Sequence, residues 1–305
     1  MTSPPGRLLV VSANLRKALP RYLADDSSLV NFTRRVRRVV PYAPDALLLQ
    51  EVVSSSAFRV AELLSEELGF DYHVAIAPGE SAVVGQWEGQ DVVRNAAILL
   101  NAATLRVEGA GGYLATRYAS RDARPGVRPR VKEHPHCLAV TPEGDLAAAL
   151  VSVHLVTNDK FTLPRVGFRH KGRWARELAT FVRAAYPGDR RSRLWVLGGD
   201  FNNRRCRRWR ETVRCRELPF WDALVRHEGY RDAVFERHGG LSTSLAEQAR
   251  SGRHVLKRID YLFVRGRVYD ASHDVGYDAR SGDADFYSDH RMLWAVVGPE
   301  PGPGA

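Results

Sequence analysis

The chain has 305 residues, 44% of them hydrophobic and 26% charged, proportions ordinary for a soluble protein with a sizeable core. Three cysteines, Cys137, Cys206 and Cys215, without paired spacing argue against a disulfide framework or a zinc site, and no apolar run approaches the roughly 18 residues that span a bilayer. A formal net charge of +10 favours a polyanionic partner, whether nucleic acid, an anionic membrane surface or a phosphorylated small molecule.

The N-terminus, "MTSPPGRLLVVSANL", lacks a basic segment followed by a long apolar one and reads as a short tail leading into a strand. With the unpaired cysteines, this predicts a cytoplasmic protein. Residues 1–6 and 299–305 are rich in Pro and Gly and are expected to be flexible tails. No linker interrupts residues 7–298, which predicts one domain. Along it, short apolar runs recur: "LLVVSA", "DALLLQ", "AAILLN", "CLAVT", "LAAALVSV", "LWVLGG", "YLFV" and "LWAVV". Runs of that length without alternation predict strands covered on both faces.

Helical patterns fall between them, in "SLVNFTRRVRRVVPY", "SSSAFRVAELLSEEL", "FRHKGRWARELATFVRAAY" and "LPFWDALVRHEGY". In the second, Phe58, Leu63, Leu64 and Leu68 lie near helical spacing and the serine cluster is placed to cap its start. Residues 78–93, 117–136 and 239–257 read as long exposed loops, a common location for substrate contacts.

Several apolar runs end on a residue able to bind metal or move a proton: Asn14, Glu51, His154, and then Asp200 with Asn202. Open α/β sheets bind ligands beyond the carboxyl ends of their strands, so a shared orientation at these positions points to one site. Behind Asn202 comes a dense basic segment in which Arg204, Arg205, Arg207 and Arg208 are candidate phosphate ligands and Trp209 a candidate stacking face. A solvated surface helix accounts equally well for those arginines. The other histidines (His73, His134, His136, His170, His227, His238, His254 and His273) lack ligand spacing and are expected at the surface.

In order along the chain, "SANL", "LLLQEV", "RNAAIL", "VSVHL", "GGDFNN", "RIDYLFV" and "YSDH" resemble the motifs of the endonuclease/exonuclease/phosphatase superfamily of metal-dependent phosphoesterases. The resemblance implies a four-layer α/β/β/α sandwich, two packed mixed β-sheets with helices outside and the site at one end. It also implies Mg²⁺, with Mn²⁺ as a substitute, held by Glu51, Asn14 and Asp289; Mg²⁺ is a hard cation suited to these oxygens. Asp289 would either support the metal or orient His290. Asp260 would orient His290, which then contacts the scissile phosphate or helps activate water. Asp200 has three roles open to it: activating water, protonating the leaving oxygen or holding a second metal. Asn202 would orient phosphate or water, and His154 is set as in the deoxyribonuclease, sphingomyelinase and lipid phosphatase branches. Gly198 and Gly199 are expected to allow a tight turn.

Three features depart from the family. Met292 stands where a proline is common, no Trp or Tyr precedes "RIDY", and "KRIDYLF" lacks the Cys-Asp-Arg of phosphoinositide 5-phosphatases. The reading is therefore a Mg²⁺-dependent phosphodiesterase, foremost a nuclease acting on DNA or RNA. The alternatives are a phosphatase or lipid phosphodiesterase on a small substrate, and an inactive nucleic-acid-binding protein. No feature predicts a protein partner.

Overall fold

The structure is a computed structural model that describes residues 1–15, 26–117, 123–127, 130–157, 160, 162, 164–188, 193–202, 220, 222–238, 245–248, 254–257, 259–274 and 287–301. The candidate phosphate ligands Arg204, Arg205, Arg207 and Arg208, and Trp209 with them, lie outside the described residues.

The first part of the chain supplies β1 (Leu8–Asn14), α1 (Ser27–Val39), β2 (Ala46–Gln50), α2 (Ser54–Leu68) and β3 (Tyr72–Ile76). Next come β4 (Val83–Trp87), β5 (Gln90–Val93), β6 (Ala96–Asn101), β7 (Arg106–Arg117), β8 (Arg130–Val140) and β9 (Ala147–His154). After α3 (Pro164–Ala185) and β10 (Leu194–Asp200) there is a π-helical turn, Asp222–His227, then β11 (Arg231–Asp232) and α4 (Ala233–His238). The chain closes with β12 (Leu245–Gln248), β13 (His254–Lys257), β14 (Asp260–Arg265), β15 (Arg267–His273) and β16 (Leu293–Gly298).

Two mixed sheets carry the fold. The first runs β15-β16-β1-β2-β6-β3, and the second runs β11-β14-β10-β9-β8-β5-β4 with β7 also paired to β8. The apolar runs lack alternation because both faces of each sheet are covered. On β1, Leu9, Val11 and Ala13 pack under Phe32 and Val36 of α1 and Val60 and Leu64 of α2. The intervening Leu8 and Val10 point the other way, into an inter-sheet core shared with Leu150, Val196, Leu262 and Val264. Beyond the second sheet, Val151, Val153, Trp195 and Leu197 meet Trp174, Leu178 and Val182 of α3. Helix, sheet, sheet and helix thus form the four expected layers.

Local signals set the helix ends. Pro41 excludes the helical region for the residue before it, and Val40 is extended at φ −86°, ψ 144°. Gly69 ends α2 in the left-handed conformation, φ 72°, ψ 27°, its amide returning to the Ser65 carbonyl. The expected serine cap does not form: the capping position is Val53, and Ser54 Oγ donates instead to the Pro78 carbonyl at 2.8 Å. The apolar buried residues of α2 are Ala57, Val60, Ala61, Leu63 and Leu64, which bears out Leu63 and Leu64 but leaves Phe58 exposed.

Residues expected in loops turn out to be paired. β4 and β5 form an edge hairpin within 78–93, β8 begins inside 117–136, and β12 and β13 pair within 239–257. Gly198 and Gly199 sit inside β10 rather than at a turn. A Cβ on Gly198 would meet Leu48 Cδ1 at 2.6 Å across the inter-sheet space, and one on Gly199 would meet the Val153 carbonyl oxygen at 1.9 Å. Close packing, not turning, requires them.

Candidate active site

β9 and β10 run parallel with His154 opposite Asp200, and β14 runs antiparallel to β10 with Asp260 opposite Asp200. Three functional side chains therefore stand side by side at one end of the second sheet. In the first sheet, β1 and β2 run parallel with Asn14 opposite Gln50, so Asn14 and Glu51 leave the sheet together. The two ends meet: Asn14 Nδ2 donates to Glu51 Oε1 at 3.3 Å and to Asp200 Oδ2 at 3.2 Å. Just beneath, Gln50 Nε2 donates to Ser152 Oγ at 2.9 Å, and Ser152 Oγ donates to the Leu49 carbonyl at 2.9 Å, pinning the sheets together.

Glu51 holds φ at 56°, a region that side chains other than glycine seldom occupy, and so turns its carboxylate away from the end of β2. Asn202 does the same at φ 51°. Its amide donates to Asp200 Oδ1 at 2.8 Å and its Nδ2 to the Leu155 carbonyl at 2.8 Å, while Lys171 Nζ donates to its carbonyl. The tight turn expected of the glycines is made here.

His290 Nδ1 lies 3.0 Å from both oxygens of Asp260 and donates to them. Burial opposes a charged ring, but Asp260, with Asp200 and Glu51 behind it, outweighs that and raises the imidazole to about 9. The His290 amide donates to Ser288 Oγ at 3.1 Å, and Ser288 Oγ donates to the Asn14 carbonyl at 2.6 Å. A second tie reaches the same segment from α1. Arg35 Nε donates to Asp274 Oδ1 at 2.8 Å, Tyr287 OH donates to Asp274 Oδ2 at 3.2 Å, and the Met292 amide donates to Tyr287 OH at 2.9 Å.

The environment of His154 is opposite in sign. Burial, reinforced by Lys132, His134 and His290, holds its pKa well below the ordinary value, so the ring is neutral. Its Nδ1 lies 3.3 Å from Asn95 Oδ1, which only accepts, so Nδ1 carries the hydrogen. That leaves Nε2 a bare lone pair, 3.5 Å from Glu51 Oε1 and 3.9 Å from Asp200 Oδ2.

Ligand atoms of Glu51, His154 and Asp200 lie within 4.8 Å of one another, as do those of Asp200, Asp260 and His290. Asn14 Oδ1 is buried without a hydrogen-bond partner. The Glu51 and Asp200 carboxylates of the first triplet, with a buried amide oxygen unmatched beside them, fit a hard divalent cation. Asp289 stands outside both triplets among the described residues, with Oδ1 3.9 Å from His290 Nε2. Asp200 is raised to about 7 by burial first and then by Asp260.

Sequence reasoning missed Lys132 and misplaced His134. Lys132 is buried beside Glu51 and Asp200; burial lowers its ammonium to about 8, against the pull of those carboxylates. His134, expected at the surface, is fully buried. It accepts the His154 amide on Nδ1 at 3.2 Å and reaches Thr116 Oγ1 through Nε2 at 2.8 Å. His136 is likewise buried, 2.6 Å from Tyr186 OH. The signal was the period-two spacing of Lys132, His134 and His136 along one strand.

A family model for the Endonuclease/Exonuclease/phosphatase family matches residues 11–290. Among solved structures, an endonuclease/exonuclease/phosphatase family protein from Leptotrichia buccalis is similar at TM-score 0.60 and 13% identity, over 95% of this chain and 99% of that one. An endonuclease/exonuclease/phosphatase from Bacteroides vulgatus is similar at TM-score 0.65 and 14% identity, over 96% and 99%. D. rerio TDP2, in complex with a single strand DNA product, is similar at TM-score 0.55 and 12% identity, over 95% and 98%. No curated protein sequence matches the chain.

Proposed function

Because the chain belongs to the endonuclease/exonuclease/phosphatase family, we propose that residues 7–298 form one catalytic domain that hydrolyses nucleic-acid phosphodiester bonds with the help of Mg²⁺. The observation that carries this is the meeting of Asn14 and Glu51 from one sheet with His154 and Asp200 from the other, the ligand atoms of Glu51, His154 and Asp200 lying within 4.8 Å of one another. Glu51, the Asn14 amide oxygen and Asp289 would hold the metal, with Mn²⁺ as a substitute; when bound it polarises a phosphoryl oxygen and offsets the charge that builds there.

The chain's own groups do the rest. Asp200, raised to about 7, is matched to accept a proton from the attacking water near neutral pH and to return it to the leaving oxygen. His290, kept cationic by Asp260, donates to a non-bridging phosphoryl oxygen. Lys132 brings a second positive charge to the same phosphate. Asn202, fixed by its bond to Leu155, orients the substrate. The net charge of +10 and the single strand DNA product held by one structural relative support nucleic acid over a small ester. No helix among the described residues is long and apolar enough to cross a membrane. Three cysteines without paired spacing support a cytoplasmic enzyme.

The test is purified protein with Mg²⁺ on plasmid DNA, single-stranded DNA, RNA and a panel of phosphomonoesters. Strand cleavage is expected, reduced about a hundredfold or more in Glu51→Ala, Asp200→Ala and His290→Ala. Inorganic phosphate released from the small esters, with every nucleic acid intact, would make the protein a phosphatase instead.

A further inference from the structure

The β4–β5 hairpin has no part in the chemistry proposed above, yet it is joined directly to the site. β5 runs parallel to β8 with Val93 opposite Lys132 and Asp91 opposite Arg130. The two residues after β5 are Arg94 and Asn95, and Asn95 is the partner of His154. The hairpin therefore starts beside Lys132 and rises away from the strand ends as a wall. Glu88 and Gly89 turn its tip at φ 49° and 74°, the left-handed pair that a two-residue hairpin requires. Trp87 pairs with Gln90, three residues beyond Val93, hence about 10 Å farther out along the wall.

The side chains on this wall are unusual for a sheet edge. Edge strands are normally blunted with charge or proline, because exposed apolar edges invite aggregation. Here Val83, Val84 and Trp87 are 42%, 38% and 38% exposed. The Arg117 guanidinium lies over the Trp87 ring, and Arg117 is paired in register with Val131, next to Lys132. By the registers, Trp87 and Arg117 share one face of the sheet, while Arg130 points to the other with Lys132. An indole backed by a guanidinium combines a stacking face with a charge for a phosphate.

We propose that Trp87 and Arg117 form a subsite for a nucleotide flanking the scissile phosphodiester, Trp87 stacking its base while Arg117 holds its phosphate. This rests on the nucleic-acid reading of the site. The distance suits the first or second neighbouring nucleotide, and stacking makes the subsite tolerant of sequence, since every base has a flat face.

The test compares a single-stranded oligonucleotide with methyl p-nitrophenyl phosphate, a diester too small to reach Trp87. Trp87→Ala is expected to raise KM for the oligonucleotide about tenfold with little change in kcat, and to leave the small diester untouched. Trp87→Phe restores most of the loss. An abasic nucleotide at the stacked position weakens the wild type by a similar factor and Trp87→Ala no further. If the wild type cleaves the oligonucleotide and Trp87→Ala does so with the same KM, the subsite is wrong and the nuclease reading stands. If the wild type cleaves only the small diester, the nucleic-acid reading fails and takes the subsite with it.

Discussion

At His290, burial and charge pull in opposite directions. Removing a charged ring from water favours the neutral form, whereas two Asp260 oxygens at 3.0 Å favour the cation. The carboxylates prevail and the imidazole rises to about 9, so it is charged at pH 7 and discharges only above that value. In Asp260→Asn the largest attraction is removed while burial remains, so the imidazole falls. Histidine NMR titration of the metal-free protein should place the His290 midpoint near 9 in the wild type and at least about one unit lower in the variant. A midpoint above 8 in Asp260→Asn would mean that Asp260 is not what charges the ring. The residues at the strand ends were legible in the sequence because each interrupts or ends an apolar run, as Asp200 does after "LWVLGG". Lys132 and His134 were not. They lie in "VKEHPHCLAV", where the consecutive polar residues Lys132, Glu133 and His134 mask the period-two spacing and read as solvent-exposed, and only the tertiary fold buries Lys132 and His134.

At the scale of elements, β10 carries the strictest local demand in the site. Gly199 has φ 151°, and a Cβ there would fall 1.9 Å from the Val153 carbonyl oxygen, on the backbone of β9. Backbone cannot yield without breaking the register that sets Asp200 opposite His154. Gly198 differs, since its nearest neighbours are the ends of Leu48 and Leu262 side chains, which can rotate. Gly199→Ala should therefore fail to give a cooperative melt by circular dichroism. Gly198→Ala should fold with a loss of about 1–3 kcal/mol, the usual cost of overpacking. Equal melting temperatures for the two would remove the distinction. The same reasoning explains which elements the sequence showed. β1, β2, β6, β9, β10, β14 and β16 are covered on both faces and read as unbroken apolar runs. β4 is an exposed edge strand and β5 a half-buried one, and their residues resemble a loop, so only the pairing of β4 with β5 and of β5 with β8 reveals them. The serines showed where α2 starts, but they form its first turn rather than its cap, and Ser54 was drawn to the Pro78 carbonyl by tertiary structure.

At the scale of the whole molecule, the site is a joint between two sheets whose acidic ends repel. Glu51 belongs to one sheet end and Asp200 and Asp260 to the other, and the rise of Asp200 to about 7 records that burial and crowding. Asn14, Lys132 and His290 offset part of it, and a divalent cation at the same place would offset more. Because Asn14, Glu51 and Asp289 lie far apart in sequence and meet only in the fold, a cation held by them binds the folded chain and not the unfolded one. Mass action then stabilises the fold by about 2.7 kcal/mol at a concentration one hundred times the dissociation constant. For a chain of 305 residues this means a rise of several degrees in melting temperature on moving from EDTA to Mg²⁺. Glu51→Gln should abolish most of that rise while leaving the melting temperature in EDTA unchanged or higher, since it removes one of the crowded charges. Charge reversal far from the joint, as at Arg106, should leave the Mg²⁺ response intact, which separates binding at the site from general screening of a basic surface. Calorimetric scans with and without Mg²⁺ decide it: a wild-type melting temperature indifferent to the metal would mean that the two sheet ends do not form a cation site.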